Sequence, residues 1–292
     1  MTLLSKGRNG WTGAHLLACF GLVAVGIAVT AHAWVDITRI ALRDEESSHI
    51  FLVPIIAAWL VWVRRARFRY CRPGPSIVGP IFIATGWLFS WIGYNHAVQS
   101  FWHGGTVLVT IGCFLTVAGH EVFLRFLPAF MVLIFLIPIP GMARQQVSIP
   151  LQTATAGVTQ FLFDFFGFEI ERTGNVLRIN GIDVAIAEAC NGMRMVFALV
   201  LVSFAFAFGT PLRHYARLLV LIVSPVSAIA CNVIRLLPTV WMYGYYPMPM
   251  ATRFHDITGW VMLPIAFLLL MAVIRLLRWA MIPVTQYTLA YD

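Results

Sequence analysis

Charged residues are scarce in this chain of 292 residues. Asp, Glu, Lys and Arg make up 11% of it, whereas hydrophobic residues make up 60%. A soluble domain of this length cannot cover its surface with so few charges, because soluble domains keep most of their charged residues in water. The mean hydropathy of +0.83 therefore excludes a soluble globular protein and predicts an all-α polytopic membrane protein.

Acidic residues are scarcer still, and the excess of 20 Lys and Arg over 12 Asp and Glu gives a net charge of +8. In a membrane protein this excess is typical of cytoplasmic loops facing anionic lipid, so we expect membrane lipid as a partner and no nucleic acid. The five cysteines lack CxxC spacing, and no histidines show ligand spacing. The sequence therefore predicts neither a metal site nor a cofactor.

Long runs without formal charge indicate where the chain crosses the membrane, since a spanning helix needs about 17–25 apolar residues. We predict eight transmembrane helices, near 12–34, 47–63, 76–94, 100–118, 124–141, 191–209, 216–243 and 257–275. Internal repeats and low-complexity segments are lacking. The sequence therefore predicts a single domain, 1–292, whose longest interruption between spans is the insert at about 142–190.

The first span resembles a secretory signal peptide. Lys6 and Arg8 precede its apolar run, and Ala31-His32-Ala33 imitates a cleavage site. However, the run from Trp11 to Val35 is long enough to span, and further spans follow it. A retained first helix is therefore favoured over a cleaved one.

The basic residues predict the orientation. With eight spans and the N-terminus inside, twelve of the twenty Lys and Arg residues lie near the cytoplasm, together with only two acidic residues. The cytoplasmic group includes a dense run: Arg64, Arg65, Arg67, Arg69 and Arg72. Because basic residues resist translocation, both termini are predicted inside and the 142–190 insert outside.

The insert begins with an amphipathic pattern. Apolar residues recur every three or four positions, namely Val147, Leu151, Ala154, Val158, Phe161 and Phe165. The opposite face carries polar residues, namely Gln145, Gln152, Thr155, Thr159 and Gln160. This spacing predicts a helix lying at the outer membrane interface rather than a further span.

The insert ends with a β-hairpin signal at 176–187. Asn180-Gly181 is a strong turn signal, and the residues on both sides of it alternate between apolar and polar. The hairpin leads directly to Cys190. Two interpretations stay open: a structural cap on the helix bundle, or an edge strand to which an extended peptide is added.

Three polar residues, far apart in sequence, are predicted at one depth on the outer side: Cys190, Arg235 and His255. Cys190, within IAEACNGMRM, starts the sixth span. The partial positive charge of a helix N-terminus favours a thiolate there, and Arg194 one turn on adds to it. Arg235 can hold a developing oxyanion, and an arginine buried at membrane depth is costly without such a partner.

His255 can pass a proton to a leaving amine, with Asp256 or Glu188 orienting its ring. Each residue also has a structural interpretation. Cys190 can be a small hydrophobic residue, Arg235 can extend to the interface, and His255 can cap a helix. A disulfide between Cys190 and Cys231 is a further alternative in an oxidising compartment.

Four segments carry a resemblance to a known family: SHIFLVPIIAAWLVWVRR, EACNGMR, NVIR and HDITG. In this order they resemble the exosortase/archaeosortase family of polytopic cysteine transpeptidases, from about the second span to the eighth. The resemblance implies that Cys190 is the nucleophile, Arg235 the active-site arginine and His255 the histidine. The implied supporting residues are Glu188, Arg194, Asn232 and Asp256. The family often has Ser after the cysteine, where this chain has Asn191.

The family is regarded as a group of sorting enzymes. The resemblance therefore implies cleavage of exported proteins whose C-terminal tail carries a short motif, a transmembrane helix and a basic cluster. It also implies a bacterial inner membrane location, a periplasmic active site and an acceptor nucleophile that the motifs do not identify. The alternatives are a transporter or flippase component of exopolysaccharide export, with Arg235 and His255 lining a polar path, and a non-catalytic scaffold. A transporter should show broken helices in repeated halves, and the sequence shows no such symmetry.

Overall fold

A computed structural model describes residues 10–186 and 192–279, and helices make up most of them. The helical fold predicted for the chain is therefore confirmed. The chain divides into two compact units between Pro140 and Gly141. The single domain predicted for 1–292 stays a prediction.

The first unit consists of helices joined by short turns. Its α-helices are α1 (Gly13–Val29), α2 (Ala31–Arg43), α3 (Leu52–Val63), α4 (Val78–Asn95), α5 (Gln99–Ala118), α6 (His120–Arg125) and α7 (Leu127–Met131). Three 3₁₀ segments accompany them, at Glu45–Phe51, Arg65–Tyr70 and Val132–Leu136.

Helices α4 and α5 pack backbone against backbone through glycines. A Cβ added at Gly86 would lie 2.7 Å from the carbonyl oxygen of Gly105, and one at Gly112 would lie 2.7 Å from the amide nitrogen of Ile83. Small residues at such contacts are typical of membrane helices, where dispersion replaces the hydrophobic effect as the packing force. This close packing forms the framework of the first unit.

The first predicted span, 12–34, falls on two helices rather than on one. Helix α1 ends at Val29, and α2 continues at an angle of 78° to it. Thr30 separates the two helices, and its hydroxyl donates a hydrogen bond to the carbonyl oxygen of Gly26 at 2.8 Å. The same carbonyl also accepts from the Thr30 amide at 3.2 Å, so Thr30 is held to the last turn of α1 by two hydrogen bonds where the chain turns.

The fifth predicted span, 124–141, is likewise not a continuous helix. Helix α7 ends at Met131, and a 3₁₀ segment continues it only to Leu136. Pro138 and Pro140 follow, and a proline lacks the amide hydrogen that a longer helix needs.

Some of the predicted spans are also spans by length and apolar composition. Within the described residues these are Glu46–Val63, Gln99–Ala118 and His214–Tyr245, and the bent α1–α2 pair adds a fourth if it crosses as one. Leu127–Leu136 and Val196–Gly209 are apolar but shorter. The membrane class is supported, and the number of eight spans stays a prediction.

The second unit combines long helices with a small sheet. Its helices are α8 (Gly141–Phe165), α9 (Gly192–Gly209), α10 (His214–Tyr245) and α11 (Met248–Trp279), and its strands are β1 (Ile170–Thr173), β2 (Val176–Ile179) and β3 (Ile182–Ala185). The helix predicted at the start of the insert is confirmed as α8. The sixth, seventh and eighth predicted spans fall on α9, α10 and α11.

The predicted hairpin is confirmed as β2 and β3, with Asn180 and Gly181 in the turn at φ values of 49° and 76°. Both values lie in the left-handed region that a two-residue hairpin turn requires. A third strand, β1, was not predicted from the sequence; it pairs antiparallel with β2, so that Ile170 lies opposite Ile179. In β1 only Ile170 is buried, so its four residues show no clear alternation.

Helix α8 turns its polar face inward. The apolar face predicted from the sequence is largely exposed, including Val147 at 57% and Phe165 at 74%. On the opposite face, Thr155 and Thr159 are fully buried. This inverted arrangement fits a helix whose outer side faces lipid, where apolar residues are not penalised for exposure.

Candidate functional site

The guanidinium of Arg235 is buried within the second unit. Arg235 lies on α10 and is only 6% exposed. Its Nη2 donates a hydrogen bond to Oδ1 of Asn232, which is also buried, at 3.4 Å. Its Nε has no hydrogen-bond partner within the described residues. A buried donor without a partner is costly, so this guanidinium is suited to receive an oxygen atom from a ligand.

The burial of Arg235 bears on its structural interpretation. An arginine that only extends to the membrane interface keeps its charged group in water. Arg235 instead keeps its side chain within the protein and adds its backbone carbonyl as acceptor for the Thr239 hydroxyl at 2.8 Å. The burial of Arg235 therefore argues against the interpretation in which this side chain only extends to the membrane interface.

Helices α9, α10 and α11 pack against one another in two successive layers. One layer, called here the three-helix cluster, contains Val196, Leu199, Ala228, Cys231, Met262 and Phe267. The other layer contains Phe206, Ala207, Ala216, Val220 and Met271. Residue numbers rise along α10 from the second layer to the first while they fall along α9 and α11. Helix α10 therefore runs antiparallel to both neighbours.

The predicted site residues lie beyond the three-helix cluster, on the side away from the second layer. Arg235 lies four residues beyond the cluster on α10, and Gly192, the first residue of α9, lies four residues before it. His255 lies seven residues before the cluster on α11. With a helical rise of about 1.5 Å per residue, these offsets are about 6, 6 and 10 Å. The start of α9, Arg235 and His255 thus lie on one side of the cluster.

His255 is half-buried on α11, and its backbone carbonyl accepts a hydrogen bond from the Thr258 hydroxyl at 3.0 Å. Asp256, the next residue, is exposed. Arg194 lies in the first turn of α9. Cys190 and Glu188, the predicted nucleophile and one of its neighbours, lie outside the described residues.

Cys231 carries a free, buried thiol. The disulfide between Cys231 and Cys190, which the sequence left open as an alternative, is therefore not formed in this structure. Cys231 instead contributes its side chain to the apolar packing of the three-helix cluster.

The sheet is attached to α10 directly after Arg235. Leu236 packs in one buried cluster with Leu177 of β2 and with Ile186, which ends the first described segment. In addition, Asn180 in the hairpin turn donates from Nδ2 to the carbonyl oxygen of Gly244 at 3.1 Å. The sheet therefore packs against α10 next to Arg235, and Ile186 is the last described residue before the segment that contains Cys190.

An ion pair on the exposed face of the sheet holds the two hairpin strands in register. Arg178 of β2 donates from Nε to Oδ1 of Asp183 on β3 at 2.6 Å, and from Nη2 to Oδ2 at 3.0 Å. This bidentate hydrogen bonding lowers the pKa of the Asp183 carboxyl below its ordinary value.

Two threonines of α8 differ from the other threonines on the described helices. Most of them donate their hydroxyl to a carbonyl four residues earlier: Thr38, Thr85, Thr106, Thr110, Thr116, Thr153, Thr239, Thr252 and Thr258. The hydroxyls of Thr155 and Thr159 are buried and have no partner in the described part of the chain. Ala156 and Phe163 of α8 pack in one cluster with Leu236 of α10, and Thr159 lies three residues after Ala156 and four before Phe163.

The sequence analysis placed Thr155 and Thr159 on the polar face of α8 but assigned them no function. Their spacing of four residues was the available signal. A helix that exposes its apolar face to lipid directs its polar face to the protein, which brings these two hydroxyls into the second unit.

The chain has helices that are long and apolar enough to cross a membrane, and α8 and α10 carry buried polar groups. A family model described as transmembrane exosortase matches residues 34–272. The chain therefore belongs to the transmembrane exosortase family, and the resemblance found in its motifs is confirmed. Comparisons with curated proteins and with solved structures found no match.

Proposed function

We propose that the protein is a membrane-embedded cysteine transpeptidase or peptidase that cleaves C-terminal sorting tails of exported proteins. The single observation that carries the proposal is the buried guanidinium of Arg235, whose Nε has no partner among the described residues and which lies on the same side of the three-helix cluster as the start of α9. Membership of the exosortase family supports the same reaction class.

In the proposed reaction, the thiolate of Cys190 attacks the carbonyl carbon of the scissile peptide bond and forms the new C–S bond. Arg235 stabilises the negative charge that develops on the carbonyl oxygen, and Asn232 orients the guanidinium. The C–N bond then breaks as His255 gives a proton to the leaving amine. The thioester passes its acyl group to an amine or to water, which regenerates the thiol.

The supporting residues have secondary roles in this proposal. Arg194 and the N-terminus of α9 favour the thiolate of Cys190, because both add positive potential at that position. Glu188 or Asp256 orients His255. No cofactor or metal ion takes part in the proposed steps.

The proposed setting is a bacterial inner membrane crossed eight times, with both termini inside and the site at the periplasmic boundary. The basic run at 64–72 supports this orientation. A substrate anchored by its own helix, with its basic cluster kept inside, would present the bond just outside that helix at the same depth. Such anchoring replaces part of the binding energy that a soluble peptide would have to provide.

The sheet suggests how the substrate segment is held. Strand β2 is central, and β3 is an edge strand in the order β1-β2-β3. An extended peptide can therefore add along β3, where backbone groups are available for a further strand. Strand β1 covers the outer side of β2, so the edge strands of the described sheet are β1 and β3. The proposal favours β3, because the chain leads from β3 to Cys190.

The transporter alternative predicts a broken helix in each of two repeated halves. One bent helix pair, α1 with α2, is found among the described residues. A single broken pair does not favour that alternative.

The test is tail processing by matched cysteine variants in a strain that exports a substrate with a motif, helix and basic cluster. We expect Cys190→Ala to reduce processing by about 10⁴-fold or more, since it removes the covalent nucleophile. Cys19→Ala and Cys113→Ala, which change buried thiols of the first unit, should keep most activity. Normal processing by Cys190→Ala would exclude the proposed enzyme.

A further inference from the structure

The first unit contains a cavity of about 530 Å³ that the proposed reaction does not use. It lies where α1 meets α2, and one face of α2 contributes His32, Asp36 and Arg39, spaced four and three residues apart. The facing walls come from α4 and α5. Their aromatic members are Trp87, Tyr94 and Trp102. A volume of this size is typical of sites for small molecules or lipid headgroups.

The carboxylate of Asp36 is held in place by a buried histidine. Nε2 of His103 lies 3.1 Å from Oδ2 of Asp36, and His103 is fully buried whereas the Asp36 side chain keeps 24% of its surface exposed. The His103 ring also stacks on Trp102, with ring centroids 5.0 Å apart. The cavity is therefore lined by a carboxylate whose position is supported by a buried partner.

The cavity offers one group for a cation and one for an anion. A carboxylate beside indole rings favours a cationic group, because indole faces also attract positive charge. Arg39 lies three residues beyond Asp36 on the same face, and side chains at that spacing are about 5–6 Å apart at Cβ. A guanidinium favours phosphate oxygens, to which it can give two parallel hydrogen bonds.

We propose that this cavity binds the zwitterionic headgroup of an aminoalkyl phospholipid. Its ammonium group contacts Asp36 and the indole of Trp102, and its phosphate contacts Arg39. The spacing of three residues between Asp36 and Arg39 on one face of α2 suits a ligand whose two opposite charges are separated by a two-carbon link.

The cavity mouth favours a lipid over a soluble zwitterion. Apolar and aromatic residues that line the cavity are exposed: Val29 at 70%, Val35 at 55%, Trp87 at 60% and Tyr94 at 72%. Exposed valines beside a headgroup site can contact acyl chains, and Trp and Tyr are typical of the zone where headgroups lie. A soluble aminoalkyl phosphate would leave these surfaces without a partner.

The contact between His103 and Asp36 also has a structural interpretation, in which it only holds α2 against α5. Both interpretations predict that Asp36→Asn lowers the melting temperature. Only the binding interpretation predicts that Arg39→Gln, a change at an exposed side chain, weakens phospholipid binding.

The experiment is native mass spectrometry of the full-length protein in detergent, after delipidation, titrated with phosphatidylethanolamine or with phosphatidylglycerol of the same acyl chains. We expect phosphatidylethanolamine to bind at least about 10-fold more tightly. Asp36→Asn should remove most of this preference, because Asp36 contacts the ammonium group that only phosphatidylethanolamine carries. Arg39→Gln should weaken the binding of both lipids by about 10-fold or more, because both carry the phosphate that Arg39 contacts. The matched control is Arg43→Gln, which changes an exposed arginine on the same helix outside the cavity and should bind as the unaltered protein does.

A competition experiment with soluble phosphoethanolamine distinguishes binding of a phospholipid from binding of a soluble compound with the same headgroup. Phosphoethanolamine should displace the lipid only at concentrations about 100-fold higher or more, because it lacks the acyl chains that contact the cavity mouth. Equal potency of the soluble compound would overturn the assignment to a lipid. Equal binding of the two lipids, or unaltered affinity for both lipids in Arg39→Gln, would overturn the site itself.

Discussion

Arg235 and Asn232 lie one helical turn apart on α10, both buried, with the guanidinium Nη2 3.4 Å from the amide oxygen of Asn232. The contact orients a positive charge within the second unit and leaves the Nε of Arg235 without a partner among the described residues. The first prediction concerns this pair. Arg235→Lys keeps the charge but loses the planar donors that can form two parallel hydrogen bonds.

We expect Arg235→Lys to reduce tail processing by about 10²-fold or more, or about 3 kcal/mol, which is the usual loss when an oxyanion donor is removed. Asn232→Leu should give a smaller loss, because the guanidinium remains but is no longer oriented. Arg213→Lys, at the exposed start of the same helix, is the control. With protein amounts matched by immunoblotting, full activity of Arg235→Lys would assign that arginine a structural role.

The second prediction concerns the hydroxyls of Thr155 and Thr159 on α8, which have no partner among the described residues. If Thr155 and Thr159 hold the backbone of the substrate, Thr155→Val and Thr159→Val should lower tail processing by about 10-fold each. The same variants should unfold at an equal or higher temperature, since they remove a buried polar group that has no partner in the described structure. Thr38→Val, on an exposed position of α2, should leave processing unaltered. A fall in both stability and activity would indicate a purely structural role.

Much of the second unit could be predicted from the sequence, since local signals determined it. Asn180-Gly181 can form the hairpin turn without strain, and the apolar spacing of the insert matches α8. Which face of α8 points inward could not be predicted, because an amphipathic pattern defines two faces but not whether lipid or protein covers each. Strand β1 was missed because it is stabilised by pairing with β2 rather than by its own pattern.

In the first unit, hydropathy alone could not predict the bend between α1 and α2. The run over 12–34 contains no charge, so nothing in its composition distinguishes a straight helix from the 78° bend after Val29. The bend places Asp36 beside His103, 67 positions away in the chain. Such a contact depends on how α2 packs on α5, which local sequence does not reveal. The prediction that Arg235 and His255 lie at the same depth depended entirely on the topology assigned to their helices.

The third prediction concerns orientation. Reporter fusions within 64–75 should report a cytoplasmic location, and fusions within 166–188 should report an external one. The dense arginine run resists translocation and should keep the first segment inside. Fusion junctions at both sites should be checked for equal expression. The opposite pattern would place the proposed catalytic residues on the wrong side of the membrane.

The fourth prediction concerns thiol reactivity. The four cysteines among the described residues, Cys19, Cys71, Cys113 and Cys231, are free and buried. Burial also raises the pKa of the Cys71 thiol, with Arg125 opposing the shift and Glu121 adding to it. Its thiolate is therefore scarce at neutral pH, and it should react slowly.

A membrane-impermeant maleimide added from outside should therefore label one cysteine rapidly, and Cys190→Ser should remove that labelling. Peptide mapping identifies the labelled position, and Cys71→Ser serves as the control that should leave the rapid phase unaltered. Rapid labelling that survives in Cys190→Ser would show that another thiol is the reactive one.

The central claim is that Cys190 forms a covalent intermediate with the sorting tail. The most direct measurement is peptide mapping by mass spectrometry of protein incubated with a tail substrate and a slow acceptor, then quenched in acid to preserve thioesters. The account predicts a mass increase equal to the acyl part of the substrate on the peptide that contains Cys190, and no adduct when the substrate lacks its transmembrane helix. Cleaved substrate without any adduct on Cys190, or equal cleavage with and without that helix, would contradict it.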